Sequence, residues 1–217
     1  MIKRFLTIAT LAGLLFGAAS CDSTSNTQGV YMLLDTSGTY NNELAKAQQI
    51  ILAILTRLEP GDSFAVARID TGSFSEKDIV ASMTLDDRPS VASQQKREFQ
   101  AQIAAFVKSS KASQFTDVTG GIMQAAEFLK EKGAGHQTIV IYSDLKEELE
   151  KGFKRQNLEL DIDGFNVVAL NVTKLRSDNV DPQEYLDRLE YWRKRVAKGG
   201  GEFRVINNLD NLEELLP

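Results

Sequence analysis

Asp35, Ser37 and Thr39 put a carboxylate and two hydroxyls at every second position of one short loop. One anionic and two neutral oxygen donors suit a hard cation such as Mg²⁺, which prefers oxygen ligands in octahedral geometry and keeps several waters. Gly38 should let the backbone turn sharply enough for Ser37 and Thr39 to aim at one spot. Two other segments carry matching chemistry. Phe115-Thr116-Asp117 lies just ahead of a helical stretch, and Tyr142-Ser143-Asp144 closes an apolar run. In an open parallel sheet, ligands collect outside the carboxyl ends of the strands. A fold with Val30–Leu34 and Thr138–Tyr142 as strands could therefore bring Asp35, Ser37, Thr39, Thr116 and Asp144 together. Thr119 is the alternative threonine.

The elements that would position these groups are legible from periodicity. Val30–Leu34 is an apolar run bounded by turn residues, as suits a strand covered on both faces. Leu44, Ala47, Ile51, Leu55 and Leu58 form a helical stripe over 42–58 that stops at Pro60-Gly61. Residues 63–69 and 78–85 read as a hairpin, which predicts one antiparallel edge strand. Helices follow at 91–107, with Phe99, Ile103 and Phe106 on one face, and up to Lys132-Gly133, with Ile122, Ala125, Ala126 and Leu129 inward. Strands are expected at 138–142, 165–171 and 203–206. A helix over 181–198 starts with Asp181 as cap and Pro182 in its first turn, and a short helix closes the chain at 209–216. Strands alternating with helices imply a Rossmann-like three-layer α/β/α sandwich around a mostly parallel six-stranded sheet. No internal repeat is visible.

Composition narrows the function classes. The chain has 217 residues, 42% hydrophobic and 25% charged, enough for one domain with a sizeable core. Its net charge of −5 gives no electrostatic footprint for nucleic acid. One cysteine excludes an internal disulfide or a cysteine zinc site, and one histidine, His136, excludes a histidine-rich metal site or a nucleophilic triad. His136 falls just before a strand, at the end opposite the metal. No glycine-rich phosphate loop with a lysine follows the first strand.

Residues 1–20 have the anatomy of a secretory leader: Lys3 and Arg4, an apolar run to Phe16, then Gly17-Ala18-Ala19-Ser20 before Cys21. Placement of the lone cysteine there resembles a bacterial lipoprotein signal, with Cys21 lipidated and Ala18 standing where leucine is usual. Cleavage takes Lys3 and Arg4 with it and moves the net charge from −5 to −7, so acyl chains rather than basic residues would hold the membrane. Asp22 resembles an inner-membrane retention signal, which points to the periplasmic face of that membrane. Residues 21–28 read as a lipidated cysteine and polar tether, and 29–217 as the domain.

The Asp35-x-Ser37-x-Thr39 loop, Thr116 before its helix and Asp144 at a strand end together resemble the von Willebrand factor A domain and its metal-ion-dependent adhesion site. The resemblance spans nearly all of residues 29–217. Thr39 stands where serine is commoner, and Leu145 where glycine usually follows the second acid. It implies that Ser37 and Thr39 bind the metal directly, that Asp35 and Asp144 act mostly through water, and that Thr116 binds directly or through water. The metal would be Mg²⁺, with Mn²⁺ or Ca²⁺ possible, and one coordination position would remain for a carboxylate from a protein partner. That implies a membrane-anchored binding module and no enzyme.

A haloacid dehalogenase-like phosphatase also places an Asp after its first strand and would use Asp35 as nucleophile. Its acid/base Asp would fall at position 37, where this chain has serine, and its late acidic pair is missing. A metal-free scaffold on the same fold is the other alternative. Arg188, Arg193, Lys194, Arg195 and Lys198 read as a solvated basic helix face, with Tyr185 and Trp192 on the apolar stripe. Asp70, Thr71, Asp117 and Thr119 lie near the expected rim.

Overall fold

The computed structural model describes residues 26–38, 40–69, 75–172, 175, 179–207 and 215–216. The leader, Cys21, Asp22, Thr39, Asp70, Thr71 and most of the expected closing helix lie outside the described residues.

Six strands form one sheet: β1 (Gln28–Leu34), β2 (Ser63–Arg68), β3 (Ile79–Thr84), β4 (His136–Tyr142), β5 (Asn166–Leu170) and β6 (Glu202–Ile206). Their order is β3-β2-β1-β4-β5-β6, with β3 antiparallel at one edge and every other pairing parallel. β1 lies in the middle, between β2 and β4, and Val30 through Leu34 are wholly buried. A strand covered on both faces cannot alternate apolar with polar residues, which is why β1 and β4 read as continuous apolar runs.

Four helices cover the sheet: α1 (Leu44–Arg57), α2 (Pro89–Ser109), α3 (Val118–Lys132) and α4 (Pro182–Lys198). Val30, Met32 and Leu34 of β1 pack with α1 and α2 through Ile51, Leu55, Phe99 and Ile103. Tyr31 and Leu33 face the other way, toward Ile122 and Leu129 of α3 and Trp192 and Val196 of α4. The three-layer sandwich follows from this division of alternate side chains between two cores.

Local chemistry sets the helix ends near the rim. Asp117 caps α3 by accepting from Gly120 N at 2.7 Å, and Gly133 ends the helix in the left-handed region. α3 starts close against the sheet: a Cβ on Gly121 would lie 2.6 Å from Ile69 Cγ2. Ahead of α1, the expected helix start at 42 is a 3-10 turn over Tyr40–Glu43. α2 begins at Pro89, two residues before its expected start, as suits proline in a first turn. β4 and β5 are parallel neighbours joined by a long irregular crossing rather than a helix.

Candidate metal centre

Chain direction reverses its order in the sheet between β1 and β4: β2 and β3 lie on one side of β1, β4 to β6 on the other. Crevices form outside the strand ends at such switch points. Asp35 follows β1 and Asp144 closely follows β4, so both acids sit at that place. The backbone holds the two ends together, because Asp35 N donates to Tyr142 O at 3.0 Å.

Asp35 is 1% exposed and collects hydrogen-bond donors from three segments. Oδ1 accepts from Ser37 N at 2.8 Å and from Thr116 Oγ1 at 3.4 Å. Oδ2 accepts from Ser143 Oγ at 2.6 Å. Burial nevertheless raises the Asp35 pKa, against the lowering effect of these donors. Asp144, 7% exposed, is raised to about 6, first by burial, with the nearby Asp35 charge adding to the rise and Lys146 N and Arg188 opposing it. Two desolvated acids whose charges repel form a site that a cation would relieve.

Thr116 is held from both sides of its backbone. Thr116 N donates to Glu148 O at 2.8 Å and Glu148 N donates to Thr116 O at 3.0 Å. Ser113 N, on the same loop, donates to Thr36 O at 2.9 Å beside Ser37. The loop before α3 is thus sewn to the Asp35 loop and to the segment after Asp144. Thr119 points to other business: it is fully buried, and its Oγ1 accepts from Arg195 Nη1 at 2.6 Å. Among the two candidate threonines, Thr116 is the one that touches Asp35.

The donor set fits a hard cation in chemistry. Asp144 Oδ1 accepts from Lys146 N, and Thr36 Oγ1 is buried without a hydrogen-bond partner. Among the described residues no three His, Cys, Asp or Glu side chains form a metal-binding group. The fit rests on two acids supplemented by hydroxyls.

No protein-family model matches the chain, and no curated protein matches it in sequence. Solved structures do. A von Willebrand factor type A protein from Catenulispora acidiphila matches over 88% of this chain and 41% of its own, with a TM-score of 0.50 at 13% identity. The fold is that of a von Willebrand factor A domain. The pilus adhesin SpaC from Lactobacillus rhamnosus GG, in its open conformation, matches over 88% of this chain and 29% of its own, with a TM-score of 0.54 at 12% identity. The chain therefore spans less than half the length of either matched structure. At such identity the likeness is one of fold.

Within this von Willebrand factor A-like domain, several sequence expectations need correction. Gly38 is not in the left-handed region and a Cβ there would meet nothing within 4 Å. The Asp35 carboxylate braces the start of the loop by accepting from Ser37 N, and Thr39, the other end of the expected turn, lies outside the described residues. The basic face of α4 is not all solvated. Arg195, 9% exposed in its side chain, donates to Thr119 Oγ1, Arg155 O and Leu158 O and lies 3.8 Å from Glu147. Arg188 Nε donates to Asp144 O at 2.9 Å. A helical stripe predicts which side chains face inward, but not where a long cation bends to reach a carbonyl.

Leu145, which replaces the usual glycine, does adopt the conformation that glycine favours, with φ 66°. Leu145 N donates to Ser143 Oγ at 3.0 Å, and Trp192 Nε1 donates to Leu145 O at 2.9 Å. The leucine side chain is 1% exposed in the α3–α4 core. Arg188 and Trp192, one turn apart on α4, thus hold two successive carbonyls beside Asp144. Sequence reading placed Trp192 correctly in the core; its indole N–H on the Asp144 turn had no sequence signal.

Asp117 is engaged within the fold rather than with Asp35 or Asp144. It is 1% exposed, caps α3, and accepts from Arg155 Nη2 at 2.9 Å and Nε at 3.2 Å. His136 opens β4, exposed and opposite Gln28 at the far end from Asp35, as expected.

Proposed function

We propose that this domain is a binding module that engages a protein partner through a Mg²⁺-type ion held at the junction of β1, β4 and the loop before α3. The observation that carries the reading is the convergence of Ser37, Thr116 and Ser143 on the buried Asp35 carboxylate, with Asp144 near enough to feel its charge. Ser37, Thr39 and Thr116 would supply hydroxyl oxygens, and Asp35 and Asp144 negative charge, with Mn²⁺ or Ca²⁺ as alternatives to Mg²⁺. The ion would supply Lewis acidity toward a carboxylate of the partner. The SpaC likeness is to a pilus adhesin, which supports a binding role on the envelope.

The N-terminal leader and Cys21 support a lipid anchor in a bacterial cell envelope, with Asp22 favouring the periplasmic face of the inner membrane. No helix among the described residues is long and apolar enough to cross a membrane. A tether entering β1 at Gln28 leaves Asp35 one strand length away, roughly 20 Å. The metal face then points away from the bilayer.

Thermal and urea unfolding of the full chain with Mg²⁺, Mn²⁺, Ca²⁺ or EDTA tests the metal. Bound metal stabilises the fold by mass action, so wild type should gain stability in Mg²⁺ and Asp144→Ala should not. Equal responses overturn the metal. A metal-free scaffold is the second reading, favoured by the fact that both Asp35 oxygens already have hydrogen-bond donors. It predicts no response in either protein. The phosphatase alternative lacks support at position 37 and at the ends of β5 and β6, where Asn171 and Asn207 stand. Metal-dependent phosphatase turnover abolished by Asp35→Asn would revive it.

A further inference from the structure

The segment after Asp144 does more than clamp Thr116. Beyond Glu148 it turns at Gly152, which has φ 105°, with Phe153 N donating to Glu150 O at 3.1 Å. The turn puts Phe153 on the surface at 45% exposure, between Lys151 and Lys154, both exposed. Neither lysine makes a side-chain hydrogen bond or ion pair among the described residues. Glu150 is the one acid between Leu149 and Leu158.

This tip is anchored. Arg155 lies with its guanidinium 5.6 Å from the Phe153 ring centre and pairs with the buried Asp117. Glu148 is fixed to Thr116 by two backbone hydrogen bonds. An exposed aromatic held by a buried ion pair is preorganised for contact, and a protein surface gains most from such rigid apolar anchors. The charge is also local: the two lysines stand on a segment whose ends, Glu148 and Arg155, are fixed to Thr116 and Asp117, in a chain of net charge −5. Lys111, exposed and likewise without a side-chain partner among the described residues, lies on the loop that pairs with Thr36.

We infer that residues 150–154 are a second contact for the partner segment that reaches the metal site, and that this segment is an acidic peptide carrying an apolar side chain next to a second carboxylate. One carboxylate goes to the ion, the apolar side chain packs on Phe153, and the second carboxylate meets Lys151 and Lys154. The inference rests on the proposed metal-dependent binding. Complementary charge speeds encounter, while the aromatic supplies the desolvated contact.

The test is peptide selection on the immobilised full chain, from a random-peptide display library, with Mg²⁺ or EDTA. The proteins are wild type, a Lys151→Ser/Phe153→Ser/Lys154→Ser variant and a Lys151→Arg/Lys154→Arg variant. All three sites are exposed, so urea midpoints should match wild type. Wild type in Mg²⁺ should enrich peptides with two acids flanking an apolar residue. The serine variant should bind the selected synthetic peptide about tenfold more weakly or worse, and the arginine variant as wild type does. The same motifs and affinities for the serine variant overturn the inference, as does failure of wild type to enrich any motif. Loop-dependent enrichment that persists in EDTA overturns the metal reading and leaves the loop contact standing. Sedimentation with anionic phospholipid vesicles, lost in the serine variant while no peptide motif emerges, overturns the peptide in favour of a lipid surface.

Discussion

Ser143 Oγ donates to Asp35 Oδ2 at 2.6 Å, so the ends of β1 and β4 are joined by a hydroxyl on one carboxylate. The same oxygen accepts from Leu145 N. Ser143 therefore couples the orientation of Asp35 to the turn that carries Asp144. Hydrogen bonds to buried charged groups contribute more than neutral ones, and leaving one unmade costs about 2 kcal/mol. Ser143→Ala should lower the urea unfolding free energy by about that amount in EDTA, and should weaken stabilisation by Mg²⁺. An unchanged midpoint would show that the bond is not maintained in solution.

The raised pKa of Asp144 sets a pH dependence with a definite sign. A carboxyl held above its ordinary 3.8, at about 6, keeps its proton in the fold when the unfolded chain has lost it. Stability is then highest below the unfolded pKa and falls as pH rises toward 6, by an amount on the order of 3 kcal/mol for such a shift. Burial of Asp35 acts in the same direction. In EDTA, stability should fall between about pH 4 and pH 6, and Asp144→Asn should flatten much of that slope. Mg²⁺ favours the ionised acids, so its stabilising effect should grow over the same range. Urea titrations at several pH values, with and without Mg²⁺, check both signs.

Leu145 sets backbone strain against burial. Leucine in the left-handed region costs about 1–2 kcal/mol, which glycine would relieve. Removing a buried leucine side chain costs about 2–5 kcal/mol through lost burial and the cavity left behind. Burial wins, so Leu145→Gly should be destabilised by about 2 kcal/mol in urea. A stabilised variant would mean that the Leu145 side chain contributes little to the α3–α4 core.

Arg188 reaches Asp144 O from α4 and lowers the tendency of that acid to hold a proton. Arg188→Met keeps the stem and removes the donor. Mg²⁺ should bind this variant roughly tenfold more weakly, with Arg188→Lys in between because lysine lacks the planar fork. Calorimetric titration with Mg²⁺ measures it; equal affinities for all three would remove Arg188 from any positioning role.

Gly121 tests the packing of α3 on the sheet. Alanine is the better helix former by about 1 kcal/mol, yet its Cβ would lie 2.6 Å from Ile69 Cγ2 and 3.1 Å from Leu33 Cδ1. Overpacking of this kind costs about 1–3 kcal/mol. Gly121→Ala should therefore lower thermal stability, and a rise would mean that α3 can shift away from β1 and β2 without loss.

Much of this protein was determined by short-range pattern. Apolar runs fixed β1 and β4, a hairpin signal fixed the antiparallel edge, and an acid with hydroxyls after β1 marked the candidate site. Those features depend on residues a few positions apart, where steric and burial rules act directly. The tertiary structure decided which oxygens meet. Asp35 and Ser143 are 108 positions apart, and of Thr116 and Thr119 it is Thr116 whose hydroxyl reaches Asp35, while Arg195 on α4 donates to the Thr119 hydroxyl. Arg188, Trp192 and Arg195 read as faces of a helix, and only packing revealed that the first two hold carbonyls of the Asp144 turn and the third the Thr119 hydroxyl and the carbonyls of Arg155 and Leu158. A helical period says which way a side chain leaves the backbone. What that side chain grips depends on a partner brought near by the whole fold.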